Sequence, residues 1–189
     1  MQTNILICGV GGQGIVLASK LIAAASMAKG LHVMSAETIG MAQKGGSVFS
    51  FLRVGDEAEC PMFCEGSADL LIAFEPAEAV RMLPYLKKGG KIIVNAQSIN
   101  PMPVITGAAK YPENIADKIS EKADAMVLDA LTLAKKAGNI KAVNVVLIGV
   151  MASLSEIPYE KWVETIKTTV PEKFLEVNLK AFDLGYKGE

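Results

Sequence analysis

A glycine loop between an apolar run and a long alanine-rich stretch constrains this chain more than any other feature. Gly9-Val10-Gly11-Gly12-Gln13-Gly14 follows Ile5-Leu6-Ile7-Cys8 and precedes fifteen residues, Ile15 to Lys29, dominated by Ala, Leu, Ile and Val. A compact apolar run ended by glycine reads as a buried strand, here Asn4 to Cys8. Gly14 to Lys29 reads as a helix of strong formers, stopped by Gly30. Only Ser19, Lys20, Ser26 and Lys29 interrupt its apolar surface. A helix apolar nearly all round is covered on more than one side. That predicts a sheet beneath it and another element, or another subunit, above it.

The rest of the chain alternates in the same way. Leu31 to Ala36 reads as a second strand that completes a βαβ unit. A glycine-containing loop, Glu37 to Gly46, leads to a strand over Ser47–Val54, and a further strand covers Asp69–Phe74. Pro76 opens a helix that the Lys87-Lys88-Gly89-Gly90 string would end near Leu86, since basic residues and glycine suit a helix carboxyl end. Lys91 to Asn95 is the next strand. Asn100 to Pro112 is irregular, with room for one short strand at Val104-Ile105. Glu113 to Lys122 reads helical, Ala125 to Leu128 as a strand, and Asp129 to Ala137 as a helix stopped by Gly138. Asn144 to Leu154 could be strand or helix, since an all-apolar run does not settle its own period, and its length with Gly149, Ala152 and Ser153 favours a buried helix. Pro158–Thr168 and Pro171–Leu184 are amphipathic helices. Strands alternating with helices predict a single α/β domain, Rossmann-like, with a mostly parallel sheet and helices on both faces.

Composition excludes several function classes. The chain has 189 residues, 51% hydrophobic and 21% charged, which suits one domain with a large core and not a disordered chain. A net charge of −1 gives no electrostatic case for nucleic acid or an anionic membrane. No apolar run reaches the roughly 18 residues of a membrane span, and the opening residues lack a basic signal-peptide start. A cytoplasmic protein is expected. Of the three cysteines, Cys8 is expected as buried packing. Cys60 and Cys64 lack the further ligands that zinc or an iron–sulfur cluster needs, and the only histidine, His32, lies far off in sequence. No metal ligand and no catalytic residue is assigned.

The loop matches G-x-G-x-x-G between a strand and a helix, with Glu37 near the end of the second strand, where a ribose-binding acid would stand. A free-standing NAD(P)-dependent dehydrogenase, or a nucleotide-binding regulatory module, is one reading. Such a dehydrogenase also needs a substrate site with an acid or base and an anion-binding arginine. The chain offers Arg53, Arg81 and His32 and leaves little length for a substrate domain. The other readings are a tight turn that packs helix on strand, or a surface facing an anionic group held by a partner complex.

Two longer strings carry a family resemblance. Gly9 to Ile15 with its small-residue helix, and Gly40-Met41-Ala42-Gln43-Lys44-Gly45-Gly46-Ser47-Val48 leading into Phe51-Leu52-Arg53-Val54-Gly55, resemble gamma-type subunits of 2-oxoacid:ferredoxin oxidoreductases. The second string is most similar to the beta subunit of the indolepyruvate type. The resemblance continues through Ala68–Glu75, Gly90–Asn95, Asn144–Gly149 and Asn178–Phe182, nearly the whole chain. Ile39 and Lys44 depart from the histidine and arginine that relatives often carry there. The resemblance implies that residues 1–189 form one gamma-type domain of the pyruvate/ketoisovalerate:ferredoxin oxidoreductase kind. It implies oxidative decarboxylation of an aryl 2-oxoacid with coenzyme A as co-substrate, giving acyl-CoA, carbon dioxide and reduced ferredoxin. It also implies a large partner subunit bearing thiamine diphosphate and [4Fe-4S] clusters, with ferredoxin reached through the complex and no cofactor bound here. The candidate binding residues are Gly9, Gly11, Gly12, Gln13 and Gly14 in the first loop, and Gln43, Lys44, Gly45 and Gly46 in the second.

Overall fold

The computed structural model describes residues 2–38, 46–55 and 59–188. Its centre is a six-stranded sheet of β1 (Thr3–Val10), β2 (Val33–Glu37), β3 (Ser47–Val54), β4 (Ala68–Ala73), β5 (Leu86–Asn95) and β6 (Asp124–Leu128), in the spatial order β2-β3-β1-β4-β5-β6. β1, β4, β5 and β6 are parallel neighbours, and only β3 runs against its neighbours β1 and β2. The mostly parallel α/β sheet expected from the sequence is therefore what the chain builds. The expected βαβ unit is altered, because β3 inserts between β1 and β2. Ile7 stands opposite Ser50, and Ser50 in turn opposite Glu37.

Alternation along the strands feeds two cores. Ile5 and Ile7 face α1 (Ile15–Ala28), α5 (Ala130–Ala137), α6 (Val143–Ser153), α7 (Tyr159–Thr169) and α8 (Leu175–Lys187). Leu6 and Cys8 face the other way, towards α2 (Pro76–Met82) and α4 (Ile115–Ser120). Helix α1 lies on β3 and is covered by α6 and α7 of the same chain, so its second apolar side is met internally. Val16, Lys20 and Met27 keep it in contact with solvent.

Helix α6 is buried from Val143 to Ala152, which explains why its sequence shows no polar face. It meets α8 backbone to backbone. A Cβ on Gly149 would lie 2.3 Å from the Phe182 carbonyl oxygen, and one on Gly185 only 2.0 Å from that of Val146. Only glycine permits so close an approach.

Two local expectations are corrected. The helix after β4 stops at Met82, and a 3-10 turn over Leu83–Tyr85 leads straight into β5. Pro84 disfavours helix at the residue before it and lacks an amide hydrogen. Lys87-Lys88-Gly89-Gly90 is consequently a bulge at the start of β5, since Leu86 pairs with Ala68 and Lys91 with Leu70. Val104-Ile105 belongs to a short helix, α3 (Met102–Ile105), and not to a strand. Pro101 caps it and Pro103 sits in its first turn, where the missing amide hydrogen costs nothing.

Candidate functional site

The chain leaves β1 for one face of the sheet, through α1, and leaves the adjacent β4 for the other, through α2. Between such strands the carboxyl ends open into a crevice, the place where α/β sheets hold ligands. The first glycine loop stands at this point.

Its conformation is fixed from within. Gln13 Oε1 accepts the Val10 amide at 2.7 Å, and Gln13 Nε2 donates to the Phe74 carbonyl at 2.9 Å. The side chain thus ties the loop to the ends of both β1 and β4. Gly9 makes room for it: a Cβ there would lie 2.6 Å from Gln13 Oε1 and 2.8 Å from the Phe74 Cβ. Gly14 opens α1 with φ +82° and packs against the Asn144 side chain. Buried Asn95 joins the same cluster, its Nδ2 donating to the Phe74 carbonyl and its Oδ1 accepting the Ala130 amide.

The second glycine string connects β2 to β3 at this same edge. Gln43, Lys44 and Gly45 lie outside the described residues; Gly46 lies within them. The Gly11 amide donates to the Gly46 carbonyl at 2.9 Å, so the two glycine motifs meet. Next to it, the Ser47 hydroxyl donates to Glu78 Oε2 at 2.5 Å. At the other root of the connection, Thr38 Oγ1 both donates to the Phe49 carbonyl and accepts the Phe49 amide.

Below the loops sit two buried carboxylates that sequence reasoning did not select. Glu75 caps α2 by accepting the Glu78 amide, and its other oxygen accepts the Ile99 amide and the Tyr111 hydroxyl. Glu78 is bound by Ser47 and by Arg81 Nε at 3.3 Å. The Cys8 thiol, wholly buried, is pushed well above its ordinary pKa by that burial and then by the charges of Glu78 and Glu75. Tyr111 is pushed up to about 12, by burial first and by its hydrogen bond to Glu75 second. The signal for Glu75 was legible only as a cap, a glutamate before a proline at the end of a strand.

Geometrically, then, the first loop is a built turn. Helix α1 begins without a capping side chain and with no acidic residue in its first turn, so the positive end of its dipole is not offset by its own residues. An anion is the chemistry such an edge accepts. The dinucleotide reading loses its second element: with β3 in between, Glu37 is two strand spacings from β1, about 10 Å, and not on the strand next to it. Cys60 and Cys64 are exposed free thiols.

Residues 4–188 match the model of the pyruvate ferredoxin/flavodoxin oxidoreductase family. The chain belongs to that family. Among relatives, the indolepyruvate oxidoreductase subunit IorB of Pyrococcus horikoshii is 44% identical, over 98% of this chain and 95% of its own length. The subunit of the same name from Archaeoglobus fulgidus is 42% identical over 98% and 94%. A solved structure, the gamma subunit of a keto/oxoacid ferredoxin oxidoreductase from Geobacter sulfurreducens, has the same fold, with a TM-score of 0.73 at 24% identity over 98% of this chain and 96% of that one. The family membership stated by the glycine strings and the α/β fold thus agree with both comparisons. The dehydrogenase and regulatory-module alternatives find no support among them.

Proposed function

We propose that this chain is the small subunit of an indolepyruvate ferredoxin oxidoreductase and acts only within that complex. The observation that carries the reading is near-full-length identity of 42–44% to subunits of that name. Thiamine diphosphate and [4Fe-4S] clusters reside on a large companion subunit, where thiamine supplies the decarboxylation and the clusters carry electrons to ferredoxin. Coenzyme A enters as co-substrate and leaves as acyl-CoA.

This chain's part is to form one wall of the cleft in which the acyl group meets coenzyme A. The first loop, Gly9 to Gly14, is held rigid by Gln13 and presents the uncapped start of α1. The second, Gly40 to Gly46, is joined to it at Gly11–Gly46. Gln43 and Lys44 supply its polar contacts, Lys44 as a point charge for a phosphate. The location in the cytoplasm follows from the same reading.

Co-expression with a large subunit tests it. The expected result is a stable complex that reduces a viologen dye in the presence of an aryl 2-oxoacid and coenzyme A. Lys44→Ala is expected to raise the apparent KM for coenzyme A about tenfold, the usual scale for a charge-assisted contact. An unchanged KM removes the loop from the coenzyme A site and leaves the subunit assignment standing. Saturable NAD(P) binding by the isolated chain would contradict the assignment itself.

A further inference from the structure

On the α2 face of the sheet the chain carries an open groove of about 560 Å³. Its floor is apolar, from Ala77 and Val80 of α2, Pro103 and Val104 of α3, and Ile115 and Ile119 of α4. Apolar surface continues beside it: Val80 is 47% exposed, and Met102 and Ile105, on the same short helix as Pro103 and Val104, are 67% and 64% exposed. Large apolar side chains this exposed in and beside one apolar groove mark a surface that another molecule covers.

The charges around it say what that molecule carries. Arg81, Lys110, Lys118 and Lys122 line the groove, against a single acid, Glu121. An adjoining depression of about 450 Å³, which shares Glu121 and Lys122 with it, adds Lys87, Lys88 and Asp124. Six cations therefore surround two carboxylates, in a chain whose totals are 19 basic and 20 acidic residues. Arg81 and Lys87 are engaged with Glu78 and Asp69; Lys110, Lys118 and Lys122 stand exposed on the rim.

We propose that this groove docks an amphipathic helix from a companion polypeptide, its apolar face on Val80, Val104 and Ile115 and its acidic face against Lys110, Lys118 and Lys122. A trough walled by two helices and a proline-fixed turn receives a helix by its i, i+3, i+4 anchors, and the basic rim selects acidic partners and speeds their encounter. A polyanion such as nucleic acid would leave the apolar mouth uncovered. The groove also touches the crevice above it. Tyr111 forms part of its wall, and its hydroxyl donates to Glu75 beneath the glycine loops. A seated helix therefore presses on the Glu75–Glu78 network to which Ser47 is bonded. The inference rests on the groove alone and stands whether or not the loops bind coenzyme A.

Fluorescence anisotropy on the full-length chain tests it with a designed peptide of about 18 residues, five helical turns, with leucines at i, i+3, i+4 and i+7 and glutamates on the polar face. The same peptide with lysines for the glutamates is the control. The acidic peptide is expected to bind saturably and the basic one not. Lys118→Glu with Lys122→Glu, both at exposed positions and checked for an unchanged circular dichroism spectrum, is expected to weaken binding about tenfold or more, and added salt to weaken it further. With Cys60 and Cys64 replaced by serine, a photo-crosslinker on Ile105→Cys should capture the peptide, and one on Met27→Cys of α1 should not. Equal binding of both peptides, no binding, or no effect of the charge reversal overturns the proposal. So does displacement of the peptide by coenzyme A, capture of the chain by anionic vesicles in place of the peptide, or a self-associated dimer that occludes Ile105.

Discussion

With one end of its amide on the Val10 N–H and the other on the Phe74 carbonyl, Gln13 holds the carboxyl ends of β1 and β4 in a fixed relation. Gln13→Ala leaves the Val10 amide without its partner, and a loss of about 1–3 kcal/mol in urea unfolding is expected. Thiol reactivity separates the cysteines as sharply. Cys60 and Cys64 are exposed, whereas Cys8 is buried against the Glu78 carbonyl with its pKa raised. A disulfide reagent should modify two thiols quickly in the folded chain and the third only on unfolding. The tyrosines give a pH signature. Tyr111, half-buried and bonded to Glu75, and Tyr159, bonded to Asp183, are both pushed up from 10 to about 12. A raised pKa means that the folded chain favours the protonated phenol. The stability these two contribute is complete below pH 10 and is lost as pH rises from 10 towards 12. Phenolate absorbance should show two late-ionising tyrosines, with one removed by each of Tyr111→Phe and Tyr159→Phe. Glu75, Glu78 and Tyr111 were not legible as a group, because they come together only when β4, α2 and the segment before α4 have packed.

Among the elements, the contact of α6 with α8 depends most on single atoms. Gly149→Ala drives a methyl against backbone on α8, which a side-chain rotation cannot relieve. Destabilisation of about 3 kcal/mol is expected in urea unfolding, against about 1 kcal/mol for Gly12→Ala, where the Cβ meets open space and only a φ of +101° opposes it. Most elements could be read from the chain, because periodicity and stop signals are local: the amphipathic repeat of α7, and Asp129 and Gly138 at the two ends of α5, are examples. What could not be read depends on partners. β3 has the alternation of any half-buried strand, and nothing in its residues says that it enters between β1 and β2. Pro84 was the missed local signal, since it ends α2 before the lysine–glycine string that resembled a helix stop.

For the whole molecule, the two glycine strings are distant in sequence yet hydrogen-bonded to each other at one sheet edge, and family membership was legible from them because they are contiguous motifs. Helix α1 did not need another subunit to cover it, since α6 and α7 do so; the face left open is the α2–α4 groove. The central claim is that this chain completes an enzyme whose redox chemistry lies on another polypeptide. Its most direct test is a titration of the purified chain into a large-subunit preparation lacking it, following dye reduction driven by an aryl 2-oxoacid and coenzyme A. Activity absent from either component alone, rising with added chain and levelling at a fixed ratio, is the predicted result. Turnover by the isolated chain, or a large subunit equally active without it, would contradict the account.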